Sequence, residues 1–418
     1  MTNLPRSIRG AILASVAALG LASCNMDVTN PTVIDAGTFD PTSDGRTLAL
    51  SAQTNFYIAF QSVALYGGLI SDELWTGAIR LQTNRLASRT FLGSDDINAD
   101  FFAPLSLAVA SNENAVTALA KGANAASDVN LARASMNLGY ALDLMAETMC
   151  SGVIQGGPEL SDTQLLDTAV AAFTRAVSTA SAAGGDGSDI VNQANVGLAR
   201  AYLQLGDYAN AAATAALVPS GFVANVVTTG NVSTQGTLGN QLFGTTVGGQ
   251  LVAPERYRVH DPRMPIDDTT QAVPTLNGLP SIIQTKFTSY ADPIRLASAL
   301  EAQYIGAEAA LLGSGDPGPA LALIAARRTA GGEGAFGGGT NQAVFEELLN
   351  QRARDFWMEG KKLGDLRRGL QDFPTLSLPN VLTDPVGATF YTSVGGGTFG
   401  STFCAPIPPE ETNANPNF

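Results

Sequence analysis

Val196 to Leu217 reads VGLARAYLQLGDYANAAATAAL. Leu198 and Tyr202 stand one helical turn apart, Gly206-Asp207 breaks the run, and Tyr208 and Ala211 resume it, which predicts a helix, a turn and a second helix. The same turn recurs in AEAALLGSGDPGPALALIAARR, Ala307 to Arg328, where Ala320 follows Gly315-Asp316 as Ala211 follows Gly206-Asp207. A third copy is interrupted: LARASMNLGYALDLMAETM (Leu131–Met149) supplies its first helix and DTAVAAFTRAVSTA (Asp167–Ala180) its second, with Ala169, Phe173 and Ala176 in register. Glycine permits the turn between paired helices, and alanine lets their backbones approach, so each pair buries a face only against its neighbour.

This spacing resembles the tetratricopeptide repeat and predicts a mainly α fold, a small α-solenoid of helix pairs. Plain packing of Ala-rich helices is the competing reading, and the repeated G-D-x-x-x-A argues against it. Asp44 to Tyr66 has helical apolar spacing at Leu48, Ala52, Phe56, Phe60 and Val63, with Asp44 as its N-cap. Two long stretches, 219–280 and 371–418, are rich in Gly, Thr and Asn and too long for simple connectors. They are expected to lay short strands and turns over one face of the helices, and that face is the place to seek a ligand.

The 418 residues suffice for a large core, and 45% hydrophobic content excludes a disordered chain. A net charge of -14 with no run of Lys or Arg argues against a nucleic-acid partner, whose phosphates must be neutralised for binding.

Arg6 and Arg9, the apolar run Ala11–Leu21 and the small residues after it have the layout of an export signal. Leu21-Ala22-Ser23-Cys24 resembles a bacterial lipobox, whose cysteine becomes the lipidated first residue; an ordinary cleavage site beside a stray cysteine is the bland alternative. Residues 1–23 are then signal peptide, 24–40 a lipidated tether and 41–418 a single domain. The acyl chains would hold it at a membrane, each buried CH₂ adding about 0.8 kcal/mol. Cys150 and Cys404 remain as an even pair in an oxidising compartment, either bridged or two buried thiols. A bridge would contribute up to about 5 kcal/mol in the chain-entropy model.

Nothing positively suggests catalysis, a metal or a cofactor. His260 is the only histidine, so multi-His metal sites are excluded, and none of the four lysines sits in an S-x-x-K arrangement. Asp186-Gly187-Ser188-Asp189 reads as a solvated turn, offering too few oxygens for calcium.

Asn350 to Gly369, NQRARDFWMEGKKLGDLRRG, is densely charged in a chain that is only 14% charged. Read as one helix, it puts Phe345, Leu348, Leu349, Phe356, Leu363 and Leu366 largely on one face, with Arg352 beside Asp355 and Asp355 beside Glu359 one turn apart. The run resembles the C-terminal signature of the RagB/SusD family of outer-membrane lipoproteins through Arg352, Asp355, Glu359, Gly360, Asp365, Leu366, Arg367 and Arg368. DPIRLASALEAQYIGAEAALL (Asp292–Leu312), VHDPRMP (Val259–Pro265) and APIPPEETNANPNF (Ala405–Phe418) resemble further family segments in the family's order. Gln351 departs from the usual Glu, and Leu363-Gly364 from the usual aromatics.

The resemblance implies that these charges pin the last helix to the solenoid. It also implies a surface lipoprotein of the outer membrane that captures glycan, or oligopeptide, and delivers it to a SusC-like TonB-dependent transporter. Sugar rings stack on aromatics, so the candidate ligand contacts are Trp75 and Tyr66, with Asp72 and Asn84 close by, and Tyr257 and Tyr290 in the irregular half. An ordinary half-buried aromatic is the alternative for each. Trp357, inside the signature, is read as packing. The second functional class is a scaffold lipoprotein that uses its tetratricopeptide-like groove to hold another protein; the long Gly/Thr/Asn insertions favour the ligand-binding class.

Overall fold

The computed structural model describes residues 40–77, 79–269, 282–392 and 395–418. The export signal, Cys24, nearly all of the 24–40 tether and the end of the 219–280 insertion lie outside the described residues. Among the described residues, ten helices carry the architecture: α1 (Pro41–Ser62), α2 (Ala103–Leu119), α3 (Val129–Thr148), α4 (Asp162–Ala182), α5 (Ser188–Gln204), α6 (Tyr208–Ala215), α7 (Ala299–Gly313), α8 (Gly318–Ala330), α9 (Asn341–Asp355) and α10 (Lys362–Asp372). Asp44 lies in the first turn of α1, not at its N-cap, and a π-helical turn, Val63–Gly67, extends the helix.

The pairs α3–α4, α5–α6 and α7–α8 pack as the repeat predicts, with α4 against α5 and α6 against α7. Their turns share one geometry. Gly206 and Gly315 both sit at φ 72°, where a Cβ is unfavourable, and the following aspartate closes the turn. Asp207 accepts from the Asn210 amide at 3.2 Å, and Asp316 from that of Gly318 at 2.9 Å. Small residues let the helices touch: a Cβ on Gly139 of α3 or Gly197 of α5 would stand 2.7 or 2.4 Å from the Phe173 ring of α4. Phe173 is thus a wedge between three helices, with Tyr140 edge-on at 4.9 Å.

Among the described residues, five two-stranded antiparallel ribbons accompany the helices: β1 (Trp75–Thr76) with β5 (Leu251–Val252), β2 (Gly152–Val153) with β3 (Glu159–Leu160), β4 (Val223–Val226) with β8 (Ile294–Ser298), β6 (Ile266–Asp267) with β7 (Ile283–Gln284), and β9 (Thr389–Thr392) with β10 (Gly395–Thr398). The 219–280 insertion adds short helices at Gln235–Leu238 and Gln241–Val247 to the expected strands and turns. Cys150 and Cys404 are bridged, with Cα atoms 4.9 Å apart. The Ala405 amide donates to Thr148 O and the Cys150 amide to Ala405 O, both at 2.8 Å, so the tail is tied to the end of α3.

Asn350–Gly369 is two helices, not one. A turn at Phe356–Lys361 separates α9 from α10, with Met358 at φ 61° and Gly360 at φ 66°. Glycine is needed there, because a Cβ on Gly360 would approach the Ala64 backbone at 3.3 Å. The expected pairs along one helix are therefore corrected. Arg352 pairs with Asp365 at 2.6 Å across the turn; Asp355 accepts from Arg327 and Tyr304, and Glu359 from Lys286 and Arg295. Nor do these charges line an exposed edge: Arg352, Asp365 and Arg368 are buried. Arg368 bonds Glu308 of α7 at 2.6 Å, while Glu301 of the same helix receives Arg200 of α5 at 2.8 Å and Lys361 at 3.0 Å. Burial alone would raise the Glu301 pKa, but Arg200, Lys361 and Arg352 hold it down at about 2. Arg367 donates to Ala146 O and Met149 O, satisfying carbonyls at the C-terminus of α3.

The two departures from the family signature have local reasons. Gln351 accepts from Arg263 and donates to Glu333 and Glu347, roles that need an amide. A Cβ on Gly364 would stand 2.6 Å from the Glu147 carboxyl carbon, so glycine makes room for that buried acid.

Candidate functional site

The segment Leu65–Gly77 leaves the end of the π-helical turn, makes a tight bend and enters β1. Asp72 takes the left-handed conformation (φ 60°), which Asp tolerates better than most residues, and this bend brings Trp75 beside Val252 of β5. Trp75 remains half-exposed. Two rings from the tail join it: Phe390 of β9, with centroids 6.2 Å apart, and Phe399 just past β10, at 5.6 Å; these two lie 5.3 Å from each other. The three rings border a pocket of about 270 Å³ that Pro254, Glu255 and Asp384 complete.

Arg89 fixes this platform from beneath. Its guanidinium lies 4.6 Å from the Phe399 centroid and 5.0 Å from that of Phe403, close enough for cation–π attraction. The same group donates to Asp72 at 2.9 Å and to the carbonyls of Gly400 and Asp384 at 3.1 and 2.6 Å. Arg89 itself is left-handed (φ 57°) and buried.

The other candidates separate into two groups. Asp72, Asn84 and Tyr257 have no surface to offer and are corrected to structural residues. Asp72 takes Arg89 and the Asp384 amide; Asn84 donates to Arg80 O at 2.9 Å. Tyr257 stacks on Trp357 at 5.6 Å and accepts from Lys362 at 3.0 Å, while Trp357 donates to Glu73 O. Burial drives Glu73 up and Lys362 down in pKa, so these neighbours both lean towards neutrality behind the bend. Tyr66 and Tyr290 remain half-buried but pack elsewhere. Tyr66 meets Phe101 edge-on at 6.0 Å and bonds Asp100; burial, with Asp100 beside it, pushes its hydroxyl up to about 12. Tyr290 meets Phe243 at 5.1 Å.

Sequence reasoning missed Phe390, Phe399 and Arg89. The alternation TFYT…GGGTFG signals a hairpin, but the pairing of that hairpin with Trp75 across more than three hundred residues leaves no local mark. Among the described residues, no group of His, Cys, Asp or Glu is arranged to hold a metal ion, and no helix is long and apolar enough to cross a membrane.

No family model matches the chain, and no curated protein matches it by sequence. Solved structures match its fold. A SusD superfamily protein from Parabacteroides distasonis superposes with a TM-score of 0.68 at 14% identity, covering 91% of this chain and 98% of its own. A SusD homolog from Bacteroides thetaiotaomicron gives 0.66 at 12% identity, covering 90% and 95%. A SusD-like carbohydrate binding protein from Bacteroides vulgatus gives 0.63 at 13% identity, covering 91% and 98%.

Proposed function

We propose that this chain, which has the SusD-like fold, is a nutrient-binding lipoprotein of the outer membrane that captures glycan on the Trp75–Phe390–Phe399 platform and passes it to a TonB-dependent transporter. The observation that carries the reading is the platform itself. Three rings held at fixed spacing, two of them half-exposed, border a pocket on irregular segments that a helical scaffold alone does not need. Aromatic faces suit the apolar C–H faces of sugar rings, while Glu255 and Asp384 supply acceptors for hydroxyls. The structural neighbour described as carbohydrate binding supports glycan over peptide.

In this account Cys24 carries lipid, residues 24–40 are the tether, and the protein faces outward at the cell surface. Binding, with no chemical step, is its role. Recovery of the lipidated protein from host membranes in mild detergent tests the partnership. A TonB-dependent β-barrel in near-equal amount is the expected result; recovery with soluble periplasmic proteins instead would favour the scaffold function.

A further inference from the structure

A second groove, of about 590 Å³, has different chemistry. One wall is the end of α9 and the turn that follows it, where Asp355 and Glu359 present two carboxylates and four cations converge on them. Arg327 reaches the two Asp355 oxygens at 2.8 and 2.6 Å, and Arg263 reaches one of them at 3.3 Å. Arg295 reaches the two Glu359 oxygens at 2.8 and 2.9 Å, and Lys286 reaches one at 2.6 Å. Arg263 is mainly engaged by Asp261 and Glu333, at 2.6 and 3.0 Å from its Nη2. Three cations then share two carboxylates. Asp292 also lines the groove, but its oxygens are taken by Thr288 and Ser289, and its charge is screened by water.

The donors are not all used. Arg295 and Arg327 each spend Nε and Nη2 on the wall, and the Nη1 of each meets no acceptor among the described residues. Both arginines meet on Asp355, Arg295 at its carbonyl and Arg327 at its carboxylate, and each side chain is 24% exposed. Val223, Pro293 and Leu300 add an apolar rim to the same lining. A compact inorganic anion would leave that rim uncovered, whereas a ring bearing a carboxylate would meet both features.

The geometry points to a binding site for a carboxylated sugar, a uronic-acid residue whose carboxylate takes the unused Arg295 and Arg327 donors and whose ring lies on the Val223–Pro293–Leu300 rim. The inference rests on the glycan-capture reading and adds to it a second, charge-selective site.

Calorimetric titration of the full chain with trigalacturonate and with its neutral counterpart, a galactose trimer, tests it. Trigalacturonate should bind the more tightly, and its affinity should fall as salt rises. Asn225→Asp places an acid on the exposed groove lining, across the β4–β8 ribbon from Arg295, where it would compete with the ligand for that guanidinium, and should weaken trigalacturonate binding about tenfold. Arg327→Gln should weaken it as well, with the thermal midpoint recorded as a check on folding. No binding of trigalacturonate, equal binding of the neutral trimer, or indifference to Asn225→Asp would overturn the inference. Trp75→Ala separates the two ideas: if it abolishes uronate binding, the uronate sits on the aromatic platform and the inference fails. If Asn225-sensitive uronate binding survives while neutral glycans never bind, the platform reading fails and this one stands.

Discussion

Arg89 and Asp72 face each other at 2.9 Å with neither side chain exposed, and the same guanidinium lies under the ring of Phe399. The pair joins the bend that presents Trp75 to the tail that presents Phe399. Asp72→Asn keeps a residue that tolerates the left-handed conformation but removes the charge. Breaking a buried pair costs roughly 3–5 kcal/mol, so the urea midpoint should drop and glycan affinity should fall with it. An unchanged midpoint would show that water already reaches the pair.

Gly197→Ala should destabilise the chain even though alanine is the better helix former. The added Cβ would meet Phe173 at 2.4 Å, and the ring has little room to retreat because the Cβ position at Gly139 lies 2.7 Å away on another side. Overpacking of this kind costs roughly 1–3 kcal/mol, more than the ~1 kcal/mol of propensity gained. Thermal unfolding of the variant gives the sign.

Reducing the Cys150–Cys404 bridge releases a closure spanning 254 residues, worth up to about 5 kcal/mol by chain entropy. The tail is tied to α3 at this point, so hydrogen exchange should quicken first across 395–405, ahead of α3. Uniform acceleration across both would show that the bridge supports the whole unit and not the tail in particular.

Asp100 gives stability a pH dependence of definite sign. Burial raises its pKa to about 7, with Asp96 adding to the rise and Arg80 and Tyr66 opposing it. The folded state therefore holds its proton more tightly than the unfolded chain, where the value is about 3.9. The stability this contributes is full below pH ~4 and lost as pH climbs through about 7. Wild type should lose stability relative to Asp100→Asn across that window, and the two denaturation series should run parallel above it.

The helix pairs were legible because Gly-Asp turns and alanine spacing are local signals, and Gly206 and Gly315 take the same left-handed conformation. The break at Gly360 was equally local, but the charges around it fitted one-turn pairing and concealed it; Arg352 pairs with Asp365 across the turn, Asp355 with Arg327, and Glu359 with Lys286 and Arg295. Of the six ligand candidates, Trp75 alone stands on the platform. Asp72 and Tyr257 are polar residues whose burial is decided by partners distant in sequence, and composition around a residue does not reveal that. Phe390 and Phe399 reach the platform through a hairpin docked from the far end of the chain, so no window of sequence contains the site.

The proposed glycan site, the Trp75 platform, carries its own optical probe. Trp357 is fully buried, so in a Trp357→Phe background the fluorescence of Trp75 reports that platform alone. Titration of that variant with a panel of neutral oligosaccharides should give a saturable change for at least one of them. Trp75→Ala should weaken the binding of that sugar, measured by calorimetry, at least tenfold, about 1.4 kcal/mol. A sugar that binds with the same affinity after Trp75→Ala would contradict the account.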